Sequence, residues 1–87
     1  MKNAIASTQG KIIDWKEFYT EKGKTLAHLQ VSSGKGVSWV LVPAPIYKRC
    51  ANLVEQAFKQ GEEIEVYGKR EDDGTNVRLI ADRVAII

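Results

Sequence analysis

Residues 37–68 read VSWVLVPAPIYKRCANLVEQAFKQGEEIEVYG, and this stretch decides the fold. Its first part, Val37–Val42, is rich in valine and ends at Pro43, which is typical of a β-strand. Apolar residues then recur at the spacing of an amphipathic helix, and Gly61 suits the position that follows a helix. From Glu62 to Lys69 polar and apolar residues alternate, which is the period of a strand. The stretch therefore predicts a strand, a helix and a second strand.

Three more strand-like runs surround this stretch, two before it and one after it. They are Thr8–Tyr19, Thr25–Val31 and Val77–Ile87. A helix between the third and fourth of five strands is the layout of the OB-fold, a small closed Greek-key barrel. The sequence therefore predicts an all-β fold with one helix. We expect residues 1–87 to form a single OB-fold domain, with the helix across one open end of the barrel.

Alternation within the strands predicts which side chains point into the barrel. In the second strand Leu26, His28 and Gln30 share the outward parity, and in the fourth strand Gly68 allows a bend at a barrel corner. The strand residues expected in the core are Ala27, Leu29, Val31, Val40, Val42, Ile64 and Val66. The apolar stripe expected on the helix is Ile46, Cys50, Leu53, Val54, Ala57 and Phe58.

The first strand-like run does not keep one buried parity. Ile12 and Phe18 share one face, whereas Ile13 and Trp15 share the other. A strand that changes its buried face needs a β-bulge or a strong bend. We therefore expect a bulge in this strand, with at most one of Trp15 and Phe18 in the core.

The composition is that of a small soluble domain. The 87 residues are 44% apolar and 28% charged, with a net charge of +2, which is ordinary for a globular protein. The one cysteine, Cys50, excludes an intramolecular disulfide and is compatible with a reducing compartment. Neither a signal-peptide pattern nor the ~18 apolar residues of a membrane span are found. We therefore expect a cytoplasmic protein that does not contact a membrane.

Part of the chain resembles one group of nucleic-acid-binding OB modules. TEKGKTLAHLQV, residues 20–31, resembles the anticodon-type OB module, together with Lys69, Arg70 and LIADRV at 79–84. That module occurs in aminoacyl-tRNA synthetases and in the alpha subunit of bacterial DNA polymerase III. The sequence departs from this pattern at His28, where an aromatic residue is expected.

Another part is similar to bacterial single-stranded DNA-binding protein. The similar motifs are SWVLV at 38–42, ANLVEQ at 51–56 and KQGEEIEVYG at 59–68. The two resemblances imply an OB barrel that binds single-stranded nucleic acid, in DNA replication or repair. In the single-strand binders a tryptophan at the matching point of the third strand stacks on bases, which implies this role for Trp39.

Trp39 also has a structural interpretation, because large aromatic residues are highly buried on average. Two observations favour the outer surface. Val40 and Val42 form the natural core parity of the third strand, and a small barrel has little room for an inward indole. We therefore expect Trp39 to face solvent, where one stacked base contributes ~1–3 kcal/mol.

The other candidate ligands of a nucleic acid lie on the strands and loops around Trp39. His28 is expected beside Trp39. There it stacks on a base or contacts a phosphate, or it is a solvated surface residue without a ligand. Trp15 or Tyr67 supplies a further aromatic, and Tyr67 is alternatively an interface residue. The cations expected to contact phosphates are Lys22, Lys24, Lys69, Arg70 and Arg78. The expected ligand is single-stranded DNA or RNA, with DNA favoured and little sequence preference.

Nothing in the sequence indicates an enzyme, a small-molecule substrate or a cofactor. One histidine and one cysteine, far apart, do not supply the ligands of a metal site. The competing interpretation is an OB barrel that serves as a protein-interaction or assembly module. Leu26, Trp39 and Leu41 then form an apolar interface. Exposed strand edges and apolar outer residues also indicate a homo-oligomer.

Overall fold

The computed structural model describes residues 4–72, 74 and 77–87 of the chain. The strands are β1 Ala4–Tyr19, β2 Thr25–Ser33, β3 Gly36–Val42, β4 Glu63–Asp72 and β5 Val77–Ile86, and the helix is α1 Ala44–Gln60. Each predicted element is present. The first two positions of the turn predicted at 71–76 belong to β4, which continues to Asp72, and positions 73, 75 and 76 lie outside the described residues.

The strands close into a barrel in the order β1–β2–β3–β5–β4. β1 is long enough to pair with β4 through its first half and with β2 through its second half. All pairs are antiparallel except β3 and β5, which run parallel where Val40 meets Leu79 and Leu41 meets Ile80. This architecture is the OB-fold, and the predicted fold class is confirmed.

Closure of the barrel affects one argument from the sequence. The expectation of a homo-oligomer rested partly on exposed strand edges, and the described strands join into a continuous ring. That premise is therefore wrong for the described strands, because a closed barrel has no open edge strand. Only the apolar outer residues still support an oligomer, which stays a prediction.

The core fills the barrel and continues under α1. All seven strand residues expected in the core are buried, with no more than 2% of their surface exposed. A fully buried Val, Leu or Ile side chain contributes about 1.5–3 kcal/mol. A shift of the cross-strand register by one residue turns all the inward side chains of a strand towards solvent. Because such a shift is unfavourable, the alternation of apolar residues predicts the buried face of each strand.

β1 changes its buried face at a β-bulge. Its pairing with β2 shifts between Ile12 and Asp14, so that Ile13 is the extra residue. After the shift Trp15 packs against the core, whereas Phe18 points outward with 44% of its surface exposed. The predicted bulge is confirmed, and it decides which aromatic of β1 is available to a ligand.

α1 covers the end of the barrel at which β1 finishes. Trp15 Nε1 donates a hydrogen bond to Tyr47 Oη over 3.0 Å, and the Tyr47 hydroxyl donates to the Glu17 carboxylate. The helix ends at Gly61, which has a left-handed φ of 65° and donates its N–H to the Ala57 carbonyl. The predicted helix end is therefore confirmed, for the reason that favours glycine there.

The buried face of α1 is rotated slightly from the predicted stripe. Tyr47 is buried, although the sequence stripe did not include it, because its hydroxyl finds partners on β1. Phe58, expected in the stripe, is 39% exposed and meets Trp15 edge to face at 5.8 Å. Within the described residues no helix combines the length and the apolar character needed to cross a membrane.

Candidate nucleic-acid interface

Neighbouring strands place two rows of side chains on the outside of the barrel, which together we call the outer face. The first row, in order from β4 to β1, is Lys69, Ile80, Leu41, His28 and Lys16. Because this row takes one residue from each strand of the closed ring, it follows the curved surface of the barrel, and at ~4.8 Å between strands its path is roughly 19 Å long. The second row contains Glu71, Arg78, Trp39, Gln30 and Asp14. Both rows carry apolar or aromatic groups in the middle and charged groups towards the ends.

Trp39 lies in the middle of the outer face. Its side chain is 53% exposed, between Gln30 on β2 and Arg78 of β5, with which it lines one depression. Val40 is buried on the opposite side of β3. The outward orientation expected from the parity of β3 is therefore confirmed, and the indole is accessible to a stacking partner.

His28 and Phe18 form an aromatic pair beside this tryptophan. Their ring centroids are 4.8 Å apart, and the rings are tilted by 59°. Partial burial lowers the pKa of His28, and the positive charge of Arg78 lowers it further. His28 is therefore neutral near pH 7, which suits stacking or a neutral hydrogen bond better than an ion pair with phosphate.

The lowered pKa of His28 predicts a pH-dependent stability. The unfolded chain binds the His28 proton near the ordinary pKa of 6.5, whereas the folded chain binds it only at lower pH. The contribution of neutral His28 to the free energy of unfolding is therefore complete above about pH 6.5. It is lost as the pH falls through the pKa of His28 in the folded chain. We expect the wild type to lose more stability than His28→Gln in urea unfolding between about pH 7.5 and about pH 5.5. Equal losses in both proteins contradict the prediction.

Three of the predicted phosphate ligands border the outer face. Arg78 Nη2 and Nε lie 2.7 and 2.8 Å from Glu71 Oε1. This ion pair is substantially exposed, so it contributes only ~0–1 kcal/mol and its arginine can exchange the carboxylate for a phosphate. Lys69 ends the first row, and Arg70 lines the same depression as Trp39. These cations form one basic border.

The other two predicted cations lie at the far end of the barrel, in the loop between β1 and β2. Lys22 is exposed there, and Lys24 lines a groove of about 930 Å³ between this loop and the start of α1. Tyr19, Lys48 and Arg49 line the same groove. The structure thus separates Lys22 and Lys24 from the basic border.

Trp15 and Tyr67 are not brought to the outer face. Trp15 is half-buried against α1, so it is not available for stacking there. Tyr67 points outward but lies opposite Ser7 on β1 and Arg83 on β5, with the Arg83 guanidinium carbon 5.8 Å from its ring centroid. Tyr67 therefore belongs to neither row of the outer face, because its cross-strand partners differ from those of Lys69 on the same strand.

Two residues that the sequence does not indicate as ligands lie on the outer face or next to it. Lys16 ends the first row, and Phe18, which the sequence offers only as an alternative to Trp15 for the core, packs against His28. The register of β1 with β2 sets Lys16 opposite His28 and Phe18 opposite Leu26. The sequence signal was the parity of Phe18, which is decisive only once the position of the bulge is known.

Other chemistry is sparse in the described part of the chain. No three His, Cys, Asp or Glu side chains among these residues lie close enough to hold a metal ion. Burial raises the pKa of the Cys50 thiol, which keeps it protonated and weakly nucleophilic.

Comparison with known proteins identifies the fold of this chain. No family model matches it, and no curated protein matches it by sequence. Among solved structures, a chain of the S. pombe Stn1-ten1 complex is similar, with a TM-score of 0.64 and 20% sequence identity. The alignment covers 95% of this chain and 57% of that chain, so this chain spans little more than half of its length. At this identity the similarity shows the fold alone. The chain is a five-stranded OB-fold barrel with one helix.

Proposed function

We propose that this barrel binds single-stranded nucleic acid, DNA in the first instance, with little sequence preference and without catalysis. The observation that carries the proposal is the exposed indole of Trp39, set beside Arg78 in the middle of the outer face. OB barrels that bind single strands combine an aromatic stacking platform with a basic groove. The outer face offers both features on adjacent strands.

Stacking supplies the base-independent part of the proposed affinity. Trp39 receives one base, and the Phe18–His28 pair receives another. Every base has a π-face, so these contacts discriminate little between sequences. The neutral state favoured by the lowered pKa of His28 suits this role. Leu41 and Ile80 lie between the aromatic groups and the basic border and add apolar contact with sugars or bases.

Cations at both ends of the first row, together with Arg70 and Arg78, hold the phosphates in this proposal. Lys69, Arg70 and Arg78 lie at one side, and Lys16 lies at the other. The chain has a net charge of only +2. Acidic residues lie both on the outer face, where Asp14 and Glu71 belong to the second row, and opposite the first half of β1, where Glu63 and Glu65 lie. The proposal therefore depends on the local grouping of Lys69, Arg70 and Arg78 and not on the net charge of the chain.

Salt dependence tests the phosphate contacts directly. Four contacted phosphates give a slope of log affinity against log salt of about −2.8, hence a loss of about 50-fold between about 50 and 200 mM salt. Lys69→Gln is expected to reduce the slope by about 0.7, because one phosphate contact is removed. The matched control is Lys59→Gln on α1, which removes a lysine that pairs with Glu55. Equal slopes for Lys69→Gln and wild type exclude Lys69 from the interface.

A titration of tryptophan fluorescence with oligo-dT is the primary test of binding. Trp15→Phe leaves Trp39 as the only indole, so quenching in this variant reports on the outer face alone. We expect quenching that weakens as salt increases. A folded protein that shows no quenching and no binding at low salt overturns the proposed function.

A protein-interaction role is the second candidate. Two observations favour it: the similar structure is a complex of two proteins, and Trp39 and Phe18 are exposed on the same outer surface as Leu41 and Ile80. Since an apolar protein interface does not depend steeply on salt, the same salt series distinguishes the two roles. A protein partner at this face also remains compatible with DNA binding at the basic border.

A further inference from the structure

The two ends of the barrel are chemically different. α1 covers the end where β1 finishes, and its buried side chains continue the core there. At the other end a pocket of about 260 Å³ opens where β1, β3 and β5 begin. Ala6, Thr8, Ser38 and Leu79 line this pocket from the barrel interior. We call it the mouth pocket.

The mouth pocket has a polar floor inside an otherwise apolar barrel. Thr8 lies opposite Val66 and Ser38 lies opposite Val31, and both valines are fully buried. Thr8 Oγ1 donates a hydrogen bond to Ser38 Oγ over 3.1 Å. A hydroxyl has one donor and two acceptor sites, so this pair retains one donor and several lone pairs for a ligand.

The rim of the mouth pocket belongs to the outer face. Trp39 and Arg78 line the pocket from β3 and β5, and Arg70 lines it from β4. A strand that stacks on Trp39 therefore passes directly over the opening. Arginine at this rim is placed to hold a phosphate while the adjoining base turns inward.

We propose that the mouth pocket takes one base of the bound strand, whose edge hydrogen-bonds to the hydroxyls of Thr8 and Ser38. This inference rests on the proposed binding of single-stranded nucleic acid by the outer face. The volume lies just below the ~300–1,000 Å³ of pockets for drug-sized ligands, which suits one base. Enzymes that recognise an extruded base use the same combination of stacking and hydrogen bonds to its edge. The pocket adds a modest base preference to a platform that otherwise has little.

Two variants test the mouth pocket from opposite directions. Ala6→Leu fills the pocket, and we expect it to weaken binding of dT, dC and dA oligonucleotides of about 12 nucleotides by about tenfold. The double variant Thr8→Val with Ser38→Ala keeps the space but removes both hydroxyls. Among the dT, dC and dA oligonucleotides, we expect this double variant to weaken binding of the one that the wild type binds most tightly by about tenfold. The differences in affinity among the three oligonucleotides then become smaller. Thr25 lines the groove near α1, so Thr25→Val is the control for loss of a threonine hydroxyl away from the mouth pocket.

The outcomes separate this inference from the proposed function. Fluorescence anisotropy of labelled oligonucleotides gives the affinities, and circular dichroism confirms that each variant is folded. If the wild type binds and both folded variants bind all three homopolymers with unchanged affinity, the mouth pocket is not a base site, while the outer face remains a binding surface. If the wild type binds none of them, the proposed function and this inference both fail.

Discussion

Replacing Trp39 by alanine is expected to weaken binding of oligo-dT by about 5- to 150-fold, because stacking on an aromatic contributes ~1–3 kcal/mol per base. The side chain is about half exposed, so the fold depends little on it. The salt slope is expected to stay unchanged, since the phosphate contacts remain. Fluorescence anisotropy at several salt concentrations measures both quantities.

Trp15→Phe is the matched control for this prediction. It removes the other indole of the chain, which packs against α1 rather than lying on the outer face. We expect it to retain the affinity for oligo-dT within about twofold and to lose some stability, because its hydrogen bond to Tyr47 is lost. Equal affinities for Trp39→Ala and wild type exclude stacking at this position and favour the protein-interaction role.

Gly68→Ala is expected to destabilise the barrel by about 2–4 kcal/mol, a large part of the stability of a small domain. A Cβ atom at Gly68 lies only 1.9 Å from the carbonyl oxygen of Ile80, and the neighbour is backbone that cannot rotate away. β4 also shifts register against β5 between Tyr67 and Gly68. The strands must separate at this corner to admit a methyl group.

The stability of Gly68→Ala is measured by urea or thermal unfolding. For a chain of this size each kcal/mol lowers Tm by roughly 4–8 °C. Gly10→Ala is expected to behave similarly, since its Cβ lies 2.0 Å from the Ser32 carbonyl oxygen. Gly34→Ala is the matched control, because no atom lies within 4 Å of its Cβ, and we expect a change within about 0.5 kcal/mol. If Gly68→Ala is as stable as Gly34→Ala, the result contradicts the close approach of Gly68 to the backbone of Ile80.

The composition of the outer face shows how far sequence reasoning reached. Outward orientation of Trp39 and His28 followed from alternation in β3 and β2, and the structure agrees. The contact between His28 and Phe18 could not be predicted from alternation. Phe18 is ten residues away, on a strand whose inward and outward positions exchange at the β-bulge. Tyr67 has the correct outward parity, but its cross-strand partners are Ser7 and Arg83, so it lies in neither row of the outer face. Parity predicts which face of the sheet a side chain points to, and it does not predict the cross-strand neighbours of that side chain.

Local periodicity determined the strands, the helix, the end of the helix at Gly61 and the buried valines, because backbone geometry and burial act on neighbouring residues. Tertiary structure alone decided the register of β1 against β2 and β4, and the contact of Thr8 with Ser38, which are 30 residues apart. Such contacts depend on cross-strand register, and register depends on bulges and closure of the whole barrel. The mouth pocket exists only because the ring closes, since β1, β3, β4 and β5 all contribute to its lining.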